Sequence, residues 1–198
     1  MLIRKHMKTL KTNIEAVIKD AIKKIPSLST FSKRYTPSII QRFQEQLLSD
    51  LSQRITEIQW EMEYKMFFDK RDRIDIYGQS PDTTNNNSID FIVIIEIDNT
   101  RADQVGKKIA SRFAFAGNTS CLYVAICYPG NKSNKKECQK YFQYGTSLLK
   151  KLNPHSEFLG IIINDDMSIE PCDDSMMELG PINYEIRHNP SINDLKYF

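Results

Sequence analysis

The chain has no apolar run approaching the length needed to cross a bilayer, which argues against a membrane-spanning helix. It has no internal repeat, no phosphate-cradling glycine loop and no Ser-His-Asp spacing. Its three histidines, His6, His155 and His188, stand alone outside the apolar segments, so each reads as a surface residue rather than a ligand or base. The four cysteines, Cys121, Cys127, Cys138 and Cys172, form no CxxC pair, and two lie in an apolar strand. They read as buried free thiols of a cytoplasmic protein, not as zinc ligands or disulfides. The basic N-terminus lacks the continuous apolar segment and small-residue cleavage site of a signal peptide.

What is present suits a soluble globular chain. With 198 residues, 40% apolar and 26% charged, it is most simply one domain with a real core. The stretch from Arg71 to Arg112 organises the rest. Phe91 to Ile95 is an unbroken β-branched and aromatic run, the composition of a central strand buried on both faces. It ends in two acids one residue apart, Glu96 and Asp98, which alternation places on one face. Asp75 sits within the preceding strand, between Ile74 and Ile76. Buried acids that converge cost desolvation and repulsion unless a cation joins them. Three carboxylates form an oxygen-only set suited to a hard divalent ion such as magnesium.

An Asp on one strand, an acid-x-(Lys or acid) triplet on the next, and then a helix resembles the PD-(D/E)xK nuclease superfamily, the restriction-endonuclease-like fold. Asp75 matches the superfamily's Asp, and Glu96-Ile97-Asp98 its triplet, with Asp98 standing where Lys is usual. The resemblance spans the central half of the chain, from the strand near Trp60 to the strand ending near Tyr128. It implies an α/β fold, a mixed sheet flanked by helices and preceded here by two N-terminal helices. It also implies Mg²⁺ (or Mn²⁺) held by Asp75, Glu96 and Asp98, with the carbonyl of Ile97 as a further donor. Family members often add a Glu from the helix before the sheet, and Glu45 is the candidate. The cation missing from the triplet would come from Lys108 or from Arg101, with Lys108 or Asp98 orienting or deprotonating water. Arg101, Gln104 and Arg73 would contact nucleic acid.

Along the chain, Ile3, Met7, Leu10, Ile14, Val17, Ala21 and Ile25 predict an amphipathic helix ended by Pro26. Its near-heptad spacing would allow homodimerisation through this helix, although docking on its own domain is the commoner outcome. Thr36-Pro37 opens a second helix, with Ile40, Phe43, Leu47, Leu51, Ile55 and Ile58 as its stripe. From Ile58 to Met66 the period becomes two, predicting a strand with Trp60, Met62, Tyr64 and Met66 inward and Glu61 and Glu63 outward. Residues 69–72 read as a hairpin turn and 81–88 as a polar loop. A helix follows from about Ala102 to Ala116, where Arg101, Gln104, Lys108 and Arg112 share one arc. Then come a strand over Cys121–Tyr128, a helix after Lys140 and a last core strand over Phe158–Ile163. The tail from Asn164, with its three prolines, reads as loop.

Charge is asymmetric. Residues 1–35 carry nine basic and two acidic side chains, and residues 164–198 two basic and eight acidic. A basic arm fits a polyanion, but equally a helix face docking on the acidic tail. The expected organisation is a basic helix and connector over 1–35, a core over 36–163 and an acidic tail over 164–198. The expected function is a Mg²⁺-dependent DNA endonuclease of restriction or defence type, with basic surface around Lys132–Lys140 gripping the backbone. The alternatives are a nuclease-fold module that binds or assembles without cutting, and an interaction protein that dimerises.

Overall fold

The first helix is laid down by its apolar stripe. In α1 (Leu2–Lys23), Met7, Leu10, Ile14, Val17, Ile18, Ala21 and Ile22 are all buried. They pack against α2 (Pro37–Arg54), whose Phe43, Leu47 and Leu51 are likewise buried, and against the sheet. The stripe is thus consumed within the chain's own core. This is docking on the chain's own domain, the commoner outcome expected for such a stripe, and nothing among the described residues supports the alternative of a homodimer through this helix. Among the described residues three ion pairs fasten α1 and the residue that follows it: Lys11 to Glu157 at 2.8 Å, Asp20 to Arg54 at 2.8 Å, and Lys24 to the buried Asp50 at 2.6 Å. The computed structural model describes residues 2–25, 37–66, 73–81, 89–98, 102–128, 134–164 and 166–172.

The remaining elements are β1 (Gln59–Lys65), β2 (Arg73–Pro81), β3 (Ile89–Asp98), α3 (Gln104–Ala116), β4 (Ser120–Cys127), α4 (Lys135–Leu152), β5 (Glu157–Ile163) and β6 (Ile169–Cys172). The six strands form one mixed sheet in chain order. β1, β2 and β3 are antiparallel neighbours; β3, β4 and β5 are parallel, joined by crossovers through α3 and α4; β6 returns antiparallel to β5. α1 and α2 cover one face and α3 and α4 the other, so the architecture is α/β in three layers. Among the described residues no helix is long and apolar enough to cross a membrane. All four cysteines are free and buried.

β3 and β4 are buried on both faces, which explains their unbroken apolar composition. On the α3/α4 face the fit is close at Gly160, where a methyl group would overlap the ring of Phe142. Gly160→Ala is therefore expected to lower the stability by about 1–3 kcal/mol through overpacking, read as a lower denaturant midpoint with an unchanged slope.

Two expectations fail for local reasons. Residues 169–172 form a strand where loop was expected. Pro171 is tolerated because β6 is an edge strand and needs ladder bonds on one side only. In β1 strict alternation breaks at Glu63, whose φ of 54° lies in the left-handed region. That conformation costs about 1–3 kcal/mol for a residue other than glycine. It turns Tyr64 to the α3/α4 face, where its ring stacks on Tyr77 at 4.1 Å.

Candidate active site

The ladder between β2 and β3 ends at the pair Ile76↔Ile95. The next positions across the strands are Asp75 and Glu96, two like charges that cannot sit side by side in a regular pair without cost. Here the backbone pairing gives way to side chains. The Asp75 carboxylate accepts the Ile97 N–H at 2.7 Å, taking the place of a backbone carbonyl. Arg112, from α3, donates through Nη2 to the Arg73 carbonyl at 2.7 Å. The end of the central strand is thereby opened and lined by ionised groups.

Glu96 lies at the centre of this group with its side chain 1% exposed. Arg112 Nε donates to its Oε1 at 2.5 Å. Lys108 Nζ lies 2.8 Å from its Oε2 and 2.9 Å from Asp98 Oδ1, bridging the two acids. Asp98 Oδ2 is buried with no hydrogen-bond partner among the described residues. Helical spacing explains the clasp: Lys108 and Arg112 are four residues apart and so lie on one side of α3, directly over β3.

Among the described residues three carboxylates face two cations, and the titration of the acids reflects their crowding and burial. Burial, and then the charge of Glu96, push the Asp75 carboxyl up to about 7. Burial also raises Asp98, against the pull of Lys108. The surrounding acids hold Lys108 firmly protonated, although burial opposes them. The hydroxyl of Tyr123, on β4, is buried without a hydrogen-bond partner among the described residues and senses Glu96 and Asp98.

Of the residues singled out from the sequence, Asp75, Glu96, Asp98 and Lys108 are brought together. Glu45 is not: it is exposed on α2, hydrogen-bonded to Gln41, and α2 covers the opposite face of the sheet from α3. Gln104, the first residue of α3, donates to Asp103 at 2.9 Å. Arg73 is exposed, 3.5 Å from Glu63. Arg101 lies outside the described residues. Arg112, on the same helical arc as Lys108, has no site role in the sequence-based expectation. The available signal was its spacing from Lys108, since a buried glutamate needs more than one donor.

In the conformation seen, no three Asp, Glu, His or Cys side chains among the described residues are gathered as a metal-holding group. Glu96 gives both oxygens to cations. The donor chemistry nevertheless fits a hard divalent ion in two respects: Asp98 Oδ2 is buried with no hydrogen-bond partner among the described residues, and three acids, Asp75, Glu96 and Asp98, face two described cations, Lys108 and Arg112. No family model matches the chain, and neither does any curated protein or solved structure.

Proposed function

We propose that the chain is a metal-dependent phosphodiester hydrolase acting on DNA, of the PD-(D/E)xK type, with its site at the open end of β3. The observation that carries this reading is the convergence of Asp75, Glu96, Asp98 and Lys108 from two strands and a helix. The element order supports it: helix, three strands, helix, strand, running from α2 to β4 as the resemblance implies.

Asp75 and Asp98 would hold Mg²⁺ or Mn²⁺, joined by Glu96 once Lys108 turns toward substrate. A divalent ion bound there acidifies water and neutralises charge building on the phosphorus. Arg112 keeps Glu96 in place throughout. Lys108 supplies the cation that Asp98 displaces from the triplet; its ammonium, held protonated by the acids, pairs with a phosphate oxygen rather than taking a proton. The exposed lysines of α1, Lys8, Lys19 and Lys23, lie on the helix that covers the far face of the sheet, so the substrate meets the α3 side first.

Plasmid nicking in Mg²⁺ or Mn²⁺ tests the reading. Asp75→Ala and Asp98→Ala are expected to reduce cleavage by about a hundred- to a thousand-fold, the range for loss of a charge-stabilising group, with folding retained. Variants that cut as well as the parent would overturn it. A second reading has its own support in the double clasp on Glu96, which suits a module that binds DNA without chemistry. Retention of DNA with no nicking in any divalent ion selects that reading.

A further inference from the structure

We propose that the outward stripe of α4, formed by Lys136, Lys140, Tyr144 and Lys151, is a track for the sugar-phosphate backbone of DNA, held without regard to sequence; this rests on the nucleic-acid reading above and names the surface that carries the substrate. Steps of four, four, three and four through Lys136, Lys140, Tyr144, Ser147 and Lys151 put these residues on one line of the helix. The three lysines and Tyr144 are exposed, Tyr144 by 48%. At 1.5 Å per residue the line is about 22 Å long. The sign of the charge selects a polyanion. α3 carries three basic residues and no acid, and α4 five basic residues and one acid. That acid, Glu137, is taken up by the capping box with Asn134. Lys108 and Arg112 are taken up by Glu96 and Asp98, and Lys135 by Glu170. Lys136, Lys140 and Lys151 have no carboxylate partner among the described residues.

A second observation sets this stripe apart from an ordinary solvated helix face. The Lys140 ammonium lies 5.0 Å from the ring centre of Tyr141 and 5.8 Å from that of Tyr144, and the two rings meet edge to face at 5.9 Å. Two aromatic faces attract the cation and restrict it. Its position is therefore set before an anion arrives, and less freedom is lost on binding. The stripe also lies on the same side of the molecule as the acids. α3 and α4 both follow parallel strands, so their first turns face the end of the sheet at which Asp98 lies. Midway along the stripe, Gly145 packs against Val105 and Ile109, which bracket Lys108 on α3. A methyl group at Gly145 would overlap Ile109, so the two helices approach closely, at about 8–10 Å between axes. A backbone lying on the stripe runs beside the helix that carries Lys108.

The test reads binding of a labelled duplex oligonucleotide across a range of salt concentrations, with Ca²⁺ in place of Mg²⁺ so that binding is separated from cleavage. Lys136→Gln, Lys140→Gln and Lys151→Gln should each lower the salt slope by about one and weaken unrelated sequences equally. These are exposed positions, so folding should be unchanged. The control is α1, which is basic too but covers the opposite face: Lys8→Gln and Lys19→Gln should keep the parent's slope. Tyr144→Leu should weaken binding about two- to five-fold through Lys140, and Tyr144→Phe should restore it. The double variant Lys140→Gln/Tyr144→Leu should bind no worse than Lys140→Gln alone, a coupling that a merely structural tyrosine would not produce. Losses that add would overturn the anchoring of Lys140 by the rings. Stripe variants with the parent's slope, or α1 variants that lower it as much, would overturn the track. So would retention on phosphatidylserine vesicles through these lysines without binding of DNA. Stripe-dependent binding without Asp75-dependent cleavage would remove the hydrolase reading and leave the track standing. Asp75-dependent cleavage indifferent to all three lysines would do the reverse.

Discussion

Arg112→Met is expected to destabilise the protein by about 3–5 kcal/mol, the range for breaking a buried ion pair from one side. The substitution preserves much of the side chain's volume while leaving Glu96 Oε1 without its donor in a site only 1% exposed. It also removes the donor to the Arg73 carbonyl, so β2 and β3 lose a tie where their ladder has already ended. Equilibrium urea unfolding reads the loss. Arg112→Lys should recover only part of it, because one ammonium cannot reach both Glu96 and the Arg73 carbonyl in the planar fork geometry of a guanidinium. In the double variant Arg112→Met/Glu96→Gln the uncompensated charge is gone, and the loss should be clearly smaller than for Arg112→Met alone. A double variant as unstable as the single would show that the arginine acts through packing rather than through Glu96.

Asp75→Asn should make the metal-free protein more stable at pH 8 and leave it nearly unchanged at pH 4. The folded-state carboxyl titrates at about 7, against 3.8 for an unperturbed aspartate. Between those values the folded chain keeps a proton that the unfolded chain has released, so stability falls as pH rises through this window and levels off above it. Asparagine cannot ionise but can still accept the Ile97 N–H through its side-chain oxygen. The gain at pH 8 has an upper bound of about 4 kcal/mol, the free-energy equivalent of the shift from 3.8 to about 7. Asp98, raised in the same direction, leaves a residual slope in the variant. Thermal melts in a chelator across this pH range check the result, and identical slopes for parent and variant would contradict it. On the proposed function the same variant loses cleavage, so greater stability and lost activity would come from one substitution, as expected where a strained charge cluster serves chemistry.

Much of the fold was legible because one force dominates it. The stripe on α1, the stripe on α2 and the unbroken run of β3 each state which surface must leave water, and the structure buries those surfaces. That Glu96 and Asp98 share a face was legible for the same reason, since strand parity holds along β3; parity fails in β2, where Ile74 and Ile76 pack on opposite faces around Asp75, and Asp75 is placed by its bond from the Ile97 N–H. Three features were not legible. The edge strand β6 is short and contains Pro171, and its existence depends on an open edge of β5 that no local pattern announces. The turn at Glu63 needs a positive φ at a residue whose own preference is against it, so only the surrounding packing could impose it. The role of Arg112 depends on Glu96, which is distant in sequence and on another element, so no local pattern marks it.

The sequence by itself determined the layers: which segments are helices, which strand is central, and that Glu96 and Asp98 would share a face at its end. Tertiary structure alone decided how those acids are neutralised. Hydrophobic burial is written residue by residue in a periodic pattern, whereas the pairing of buried charges depends on which side chains a neighbouring helix brings within reach. Lys108 and Arg112 reach Glu96 only because the crossover lays α3 over β3, and the titration of Asp75 follows from that placement.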